Sequence, residues 1–195
     1  MPELTTGQSV LLTDLALCVN RYRLFTPGIY VCVHVPVQLD AETRVVPGLI
    51  AMVNHGRLKQ CEATEQGFRG PPNFVLDVFT AGDLAEYEQR RTLFEKSRVV
   101  EYVAVEDEPA PKLHWNRLEG ERFQTVEPDA AGMIRSKALP GLWIPTEALA
   151  RRDWWTILAA IERGVTRLGH HEHQSTIWYK DGRPPQERPI PFDAG

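Results

Sequence analysis

The sequence predicts an α/β or α+β domain in which helices flank a mixed β-sheet. Segments typical of strands alternate with amphipathic helical segments in the order helix, strands, helix, strands, helix. The chain has 195 residues, of which 43% are hydrophobic, and this is enough for one compact core and a tail. No apolar run approaches the roughly 18 residues that a membrane-spanning helix needs. We therefore expect a globular protein that does not span a membrane.

The first helix and the first strand are predicted within the first 40 residues. From Ser9 onwards, apolar side chains recur at helical spacing until the turn at 26–28, and these are Leu11, Leu15, Cys18 and Tyr22. The segment that follows, IYVCVHVPVQLD, is rich in β-branched residues and predicts a strand, with Pro36 marking an edge or a bulge.

Two continuously apolar segments predict buried strands. Leu49–Val53 is apolar on both faces, and Phe74–Phe79 is apolar apart from Asp77. Residues 54–73 between them are polar and rich in turn-forming residues, which predicts a loop.

The second half predicts two further helices around more strands. A helix is expected from about Asp83 to Lys96, with Asp83 and Glu86 placed as a capping box. A strand over Val99–Val105 and a hairpin over 112–118 and 122–126 follow. A last helix carries one apolar stripe, formed by Trp154, Leu158, Ile161 and Val165.

The C-terminal segment differs in composition from the rest. It begins with the histidine-rich run at 170–173 and then holds four prolines within eight residues, Pro184, Pro185, Pro189 and Pro191. So much proline is typical of a chain without packed elements. We therefore expect a domain over 1–169 and a loosely ordered extension over 170–195, whose histidines could bind Zn²⁺ or Ni²⁺ adventitiously.

Charge and cysteine content restrict the classes of function. Lys and Arg number 22 and Asp and Glu number 26, which gives a net charge of −4. Such a balance disfavours tight non-specific DNA binding, although it leaves room for a local basic groove. The three cysteines, Cys18, Cys32 and Cys61, are scattered and predict free thiols in a reducing compartment. Because the N-terminus also lacks the pattern of a secretory signal, we expect a cytoplasmic protein.

Asp77 is the residue that most suggests chemistry. A carboxylate within a buried strand costs several kcal/mol unless it is paired or bound to a cation. A functional role is one interpretation. The other is that Asp77 faces a solvated edge or accepts hydrogen bonds from the start of the next helix.

Four segments resemble the Uma-type putative restriction endonucleases of the PD-(D/E)XK nuclease superfamily. They are the Pro-Gly turn at 47–48, GFRGPPNFVLDVF at 67–79, DLAEYEQRRTLFEKSRVVEYV at 83–103 and PDAAGMIRSKALPGLWIPTEAL at 128–149. Their order and spacing imply a restriction-endonuclease-like fold over most of the chain.

The resemblance also implies an activity and a set of site residues. The activity would be Mg²⁺- or Mn²⁺-dependent hydrolysis of phosphodiester bonds in DNA. Asp77 would be the carboxylate and metal ligand on the strand, and Glu86 a second acidic ligand on the helix. Arg90 stands at the family's lysine position, as a clamp for the phosphate or the transition state. Gly48 stands where the family has an aspartate after Pro47.

These departures leave two hypotheses about function. Gly48 offers no side-chain ligand, and Arg90 keeps its charge but cannot act as a base. The chain is therefore either an endonuclease with an eroded site or a non-catalytic binding or assembly module with the nuclease fold. DNA and a second copy of the chain are the expected partners, because the superfamily is commonly dimeric and Trp155 could lie exposed beside the helix stripe.

Weaker site candidates lie in predicted turns and loops. Asp40 and Glu42 could supply a displaced ligand, although acids in turns are more often only solvated. His55 with Glu62 and Glu65 could form a loop metal site, but their spacing matches no standard ligand set.

Overall fold

A computed structural model of the chain describes residues 4–178. Its helices are α1 (Thr6–Leu24), α2 (Leu84–Lys96), α3 (Thr146–Ala150), α4 (Trp154–Val165) and α5 (Leu168–Trp178). Its strands are β1 (Ile29–Val33), β2 (Val37–Gln38), β3 (Arg44–Val45), β4 (Leu49–Val53), β5 (Glu62–Thr64), β6 (Gly67–Arg69), β7 (Phe74–Phe79), β8 (Glu101–Glu106), β9 (Lys112–Glu119), β10 (Arg122–Thr125), β11 (Met133–Arg135) and β12 (Trp143–Pro145). This is the mixed arrangement of helices and strands that the sequence predicts.

A six-stranded sheet in the order β1-β4-β7-β8-β9-β10 forms the centre of the fold. The β7 and β8 strands pair in parallel, and α2 makes the crossover between them. The other neighbours in this sheet pair antiparallel. The β7 strand, which carries Asp77, therefore lies inside the sheet and is buried along its whole length.

Helices cover both faces of this sheet, and the alternation of side chains along β7 decides which face each residue meets. Phe74, Leu76 and Val78 join the core cluster that includes α1 and α4. Val75 and Phe79 join the cluster that includes α2. Because Asp77 alternates with Leu76 and Val78, its side chain is on the α2 face.

Glu101, at the start of β8, fixes the chain beyond β11. Its fully buried carboxylate accepts hydrogen bonds from Arg117 Nε at 2.8 Å and Ser136 Oγ at 2.5 Å. It also accepts the backbone N–H groups of Lys137 and Ala138. Two of the segments that carry the family resemblance are therefore joined through one carboxylate.

The segment after β1 differs from the single long strand that the sequence predicts. The β1 strand ends at Val33, because His34 has a φ of 50°, in the left-handed region that breaks a strand. The next extended residues form β2 in a separate four-stranded sheet, in the order β3-β2-β6-β5. The expectation of a loop over 54–73 is thus wrong in part, because β5 and β6 lie there. The β6 strand pairs with both β5 and β2, and its pairing with β2 depends on residues distant in sequence, which local composition does not reveal.

The α5 helix is a second correction. Residues 170–178 are helical, not loosely ordered, and they pack against the end of α1. His170 Nε2 lies 2.9 Å from Thr26 Oγ1, and Gln174 Nε2 donates to the carbonyl of Phe25 at 2.6 Å. Polar composition misleads here because two histidines of this helix, His170 and His173, are buried. The rest of the expected extension lies outside the described residues, and the domain boundary stays a prediction.

The start of α2 differs from the prediction, and the start of α1 carries the capping box instead. The capping box is on α1, where the side chains of Thr5 and Gln8 bond reciprocally to each other's backbone N–H groups. The capping box predicted on α2 is wrong, because Asp83 caps no backbone N–H and instead accepts the Thr80 hydroxyl at 2.7 Å.

Candidate functional site

A cavity of about 240 Å³ opens where the start of α1, the end of β7 and the first turns of α2 meet. Asp77, Glu86 and Arg90, which the family resemblance singles out, all line it. The structure therefore brings the three predicted site residues to one place. Gly48 lies directly beside them, at the edge where β4 approaches β7.

Two nitrogens of the Arg90 guanidinium bind the Asp77 carboxylate. Arg90 Nε donates to Asp77 Oδ2 at 2.8 Å, and Nη2 donates to Oδ1 at 3.1 Å. The backbone N–H of Gly48 donates to the same Oδ1 at 2.7 Å. The two side chains are only 8% (Asp77) and 15% (Arg90) exposed. This is a nearly buried, bidentate ion pair, the strongest geometry that Arg and a carboxylate form.

The surroundings keep Arg90 charged. Burial alone would lower its pKa, but the charge of Asp77 and its hydrogen bonds more than offset this, and Glu86 adds to the effect. The pKa of Arg90 therefore lies above its ordinary value. The guanidinium carbon also lies 5.3 Å from the centre of the Phe94 ring. A permanently protonated Arg90 can hold an anion but cannot accept a proton.

Aromatic rings, which the family resemblance does not single out, form one wall of the site. Tyr87 stacks between Phe79 and Tyr102, with ring centroids 5.2 Å and 6.1 Å away. Burial and the neighbouring Asp77 raise the pKa of Tyr102 well above that of a free phenol. Tyr102 is the residue that pairs with Val75 in the parallel register, so alternation along β8 gives a sequence signal for its face.

The donor set does not fit a magnesium ion. Mg²⁺ takes about six oxygen ligands in octahedral geometry. The Asp77 carboxylate, however, already accepts three hydrogen bonds from N–H groups, two of them from a cation. Across residues 4–178, no three His, Cys, Asp or Glu side chains are grouped so that they could hold a metal. Arg90 is thus the cation that neutralises Asp77 here.

Steric contacts at Gly48 also disfavour the aspartate that the family has at this position. A Cβ added to Gly48 would stand 2.9 Å from the carbonyl oxygen of Leu76 and 3.4 Å from Asp77 Oδ1. The first contact is with backbone, which cannot move aside easily. An aspartate at this position would therefore need a local shift of β4 or β7.

The weaker candidates lie elsewhere. Asp40 accepts the backbone N–H groups of Glu42 and Thr43 at 2.9 Å, which is an ordinary turn, and these bonds lower the pKa of Asp40. Glu62 pairs with Lys59 and forms no cluster with His55.

Comparison with known protein families matches residues 1–147 to Uma2, a family described as putative restriction endonuclease. The chain belongs to the Uma2 family. The matched region contains every residue that lines the cavity. The resemblance seen in the sequence is thereby confirmed, and the chain is a member of a family of putative nucleases.

A solved structure supports the fold of this Uma2 member. A putative nuclease belonging to DUF820 from Anabaena variabilis superposes with a TM-score of 0.54 and is 12% identical. The similarity covers 80% of this chain and 84% of that one. A search of curated proteins finds no match. Within residues 4–178, no helix is both long and apolar enough to cross a bilayer.

Proposed function

We propose that this Uma2 protein is a non-hydrolytic module that keeps the nuclease fold, with the Asp77–Arg90 ion pair in place of a metal centre. The observation that carries the proposal is the bidentate contact of Arg90 with Asp77. The one carboxylate that β7 offers to a metal serves here as the partner of a buried arginine.

Displacing Arg90 by a metal ion is expected to be unfavourable. The metal would gain Asp77 but find no ligand at Gly48, and the guanidinium would lose its carboxylate while still nearly buried. Leaving a buried charge without its partner costs about 3 kcal/mol or more. Arg90 is also unable to take the proton from an attacking water.

Metal-dependent DNA hydrolysis is the second candidate, and one observation favours it. Glu86 and Asp77 line the same cavity, so two acidic groups would face a cation if Arg90 turned away. The description of the Uma2 family supports DNA as the substrate in that case, and as the partner of a binding module otherwise. The three free thiols support a reducing, cytoplasmic location in either case.

Calorimetric titration of Mg²⁺ and Mn²⁺ into the wild type and Asp77→Asn separates the two candidates. The proposal expects no saturable binding up to about 10 mM, beyond the range of a working site. Glu88→Gln is the matched control, because Glu88 is an exposed acid on the same helix. Saturable binding to the wild type that is lost in Asp77→Asn but kept in Glu88→Gln would contradict the proposal.

Cleavage and binding assays complete the test. Supercoiled and linear duplex DNA incubated with either metal should remain intact, in the wild type and in Asp77→Asn alike. Fluorescence anisotropy with a labelled duplex, without metal and at two salt concentrations, measures binding separately from cleavage. Cleavage by the wild type that is abolished in Asp77→Asn would show that the metal-dependent candidate is correct.

A further inference from the structure

We propose that the outer face of α1, with the adjoining edge of α4, is the surface through which two copies of this chain form a symmetric dimer. This surface lies across the central sheet from α2 and from Arg90. The inference therefore does not depend on whether the Asp77 site is active.

A row of aliphatic side chains lies exposed along α1. Val10, Leu17 and Leu24 are 51%, 56% and 63% exposed and recur every seven residues, which places them on one face of the helix. The buried face of α1 is formed by other residues, among them Leu11, Leu15 and Tyr22. Single exposed apolar residues are ordinary, but three on the same face of one helix, each two turns from the next, indicate an interaction surface.

The α4 helix extends this surface. Both helices begin at the end of the sheet where the parallel strands β7 and β8 finish. The start of α1 lines the cavity that also contains Asp83, which follows β7. Burial raises the pKa of Asp107, which follows β8, and Arg152, just before α4, is close enough for its charge to oppose this rise. They therefore run side by side in the same direction. Arg21 of α1 pairs with Glu162 of α4.

One heptad before that ion pair, the two helices carry Asp14 and Trp155. Trp155 is 84% exposed, more than any other large apolar side chain in residues 4–177. An indole this exposed is typical of a residue that is buried in a protein interface. The row on α1 and the indole on α4 are the exposed large apolar side chains of these two helices.

The pattern of this surface is complementary to itself. If two α1 helices pack antiparallel about a two-fold axis at Leu17, Val10 lies opposite Leu24 of the partner subunit. Asp14 then lies beside Arg21 of the partner subunit, and the same contact recurs by symmetry. Apolar residues meet apolar ones, and acidic residues meet basic ones, so a second copy of the chain fits the surface in charge as well as in polarity.

Sedimentation velocity over a range of concentrations tests whether this surface pairs. We expect a dimer for the wild type and a monomer for Leu17→Glu, because a carboxylate at the axis would face its own copy. The matched control is Leu84→Glu, another half-exposed leucine that lies on α2, and it should remain dimeric. A wild type that stays monomeric up to about 100 µM, or a Leu17→Glu dimer, would overturn the proposal.

Cysteine cross-linking tests the register. A disulfide needs Cα atoms within about 7 Å, so Leu17→Cys should link to its own copy at the axis. Val10→Cys should not, because the two copies of residue 10 would be about 21 Å apart along the helix pair. The reverse result would exclude the antiparallel register.

Exchange of charges tests the polar contact. Asp14→Arg and Arg21→Asp should each weaken dimerisation about tenfold, and the combined variant should recover it. Glu162→Gln is the control, because it removes the ion pair of Arg21 within one chain and should leave the dimer intact. Failure of the combined variant to recover would show that the two charges do not meet across the axis.

Discussion

Gly48 donates its backbone N–H to the Asp77 carboxylate at 2.7 Å. The family resemblance implies an acidic side chain at position 48, which would share a cation with Asp77. In this protein position 48 instead supplies a backbone N–H group, which donates a hydrogen bond to Asp77 where an acidic residue would supply a second carboxylate. Together with Arg90, this donor makes Asp77 the acceptor of three hydrogen bonds from N–H groups.

Arg90→Met should destabilise the fold by about 3 kcal/mol, because it leaves the Asp77 carboxylate buried without its partner. The double variant Asp77→Leu/Arg90→Met should recover most of this loss, since two apolar side chains remove both charges together. Urea unfolding of the wild type and the three variants, including Asp77→Leu, measures the coupling. Arg151→Met, at an exposed pair with Glu147, should change stability by only about 0.5 kcal/mol. Additive effects at 77 and 90 would contradict a coupled pair.

Gly48→Ala should cost about 1–3 kcal/mol, because the added Cβ would press on the Leu76 carbonyl at 2.9 Å. Gly82→Ala is the matched control, since the nearest atom to a Cβ at Gly82 is Thr80 Oγ1 at 3.9 Å. Thermal unfolding of both variants gives the comparison. Equal stability of the two would mean that the backbone at 48 relaxes without strain and that an acidic ligand could be restored there.

Glu101→Gln should destabilise the protein strongly, by about 3 kcal/mol, because an amide cannot accept every hydrogen bond that the carboxylate receives from Arg117, Ser136 and the backbone. The chain at 136–138 should then become accessible to protease before the rest of the domain unfolds. Glu119→Gln is the control, because its pair with Lys137 is exposed. Protease resistance equal to that of the wild type would show that other contacts fix this segment.

Stability should fall as the pH falls below 6.5, because α5 buries His173. Burial, followed by the nearby His170, lowers the pKa of His173 from 6.5 to about 4, so between these values the unfolded chain binds a proton that the folded protein does not. The loss from this residue between pH 7 and pH 5 is about 2 kcal/mol. Urea unfolding at each pH measures it.

His173→Gln should flatten this pH dependence, whereas His171→Gln should not, because His171 is exposed on the same helix. His170, whose pKa is also lowered mainly by burial, accounts for part of the slope that remains. If the unfolding free energy of His173→Gln depended on pH as strongly as that of the wild type, another group would be responsible for the loss of stability at acidic pH.

Much of the fold follows from local patterns in the sequence. The α1 and α4 helices show apolar residues at helical spacing, and β4 and β7 are short runs that are apolar on both faces. The hairpin of β9 and β10 also lies where alternation predicts it. These elements are predictable because the residues of each one show by themselves which of its faces are buried, one face for the helices and both faces for β4 and β7.

The parts that the sequence missed depend on distant partners. The β5 and β6 strands are three residues each; they pair with each other, and β6 also pairs with the distant β2. The α5 sequence is polar, yet His170 and His173 are buried, and His170 contacts Thr26 just after α1. A local pattern cannot show which polar side chains will find a buried partner.

The candidate site, too, was predictable in part from the sequence and in part only from the tertiary structure. The sequence by itself determined that Asp77, Glu86 and Arg90 belong together, since a carboxylate in an apolar strand needs a partner and the family segments supply the candidates. Only the tertiary structure decided how they meet: Arg90 takes the carboxylate with two hydrogen bonds, and the packing of Gly48 against Leu76 leaves no space for another acidic side chain. Hydrogen-bond geometry and steric exclusion arise between elements that are distant in sequence, so they exist only once the chain has folded.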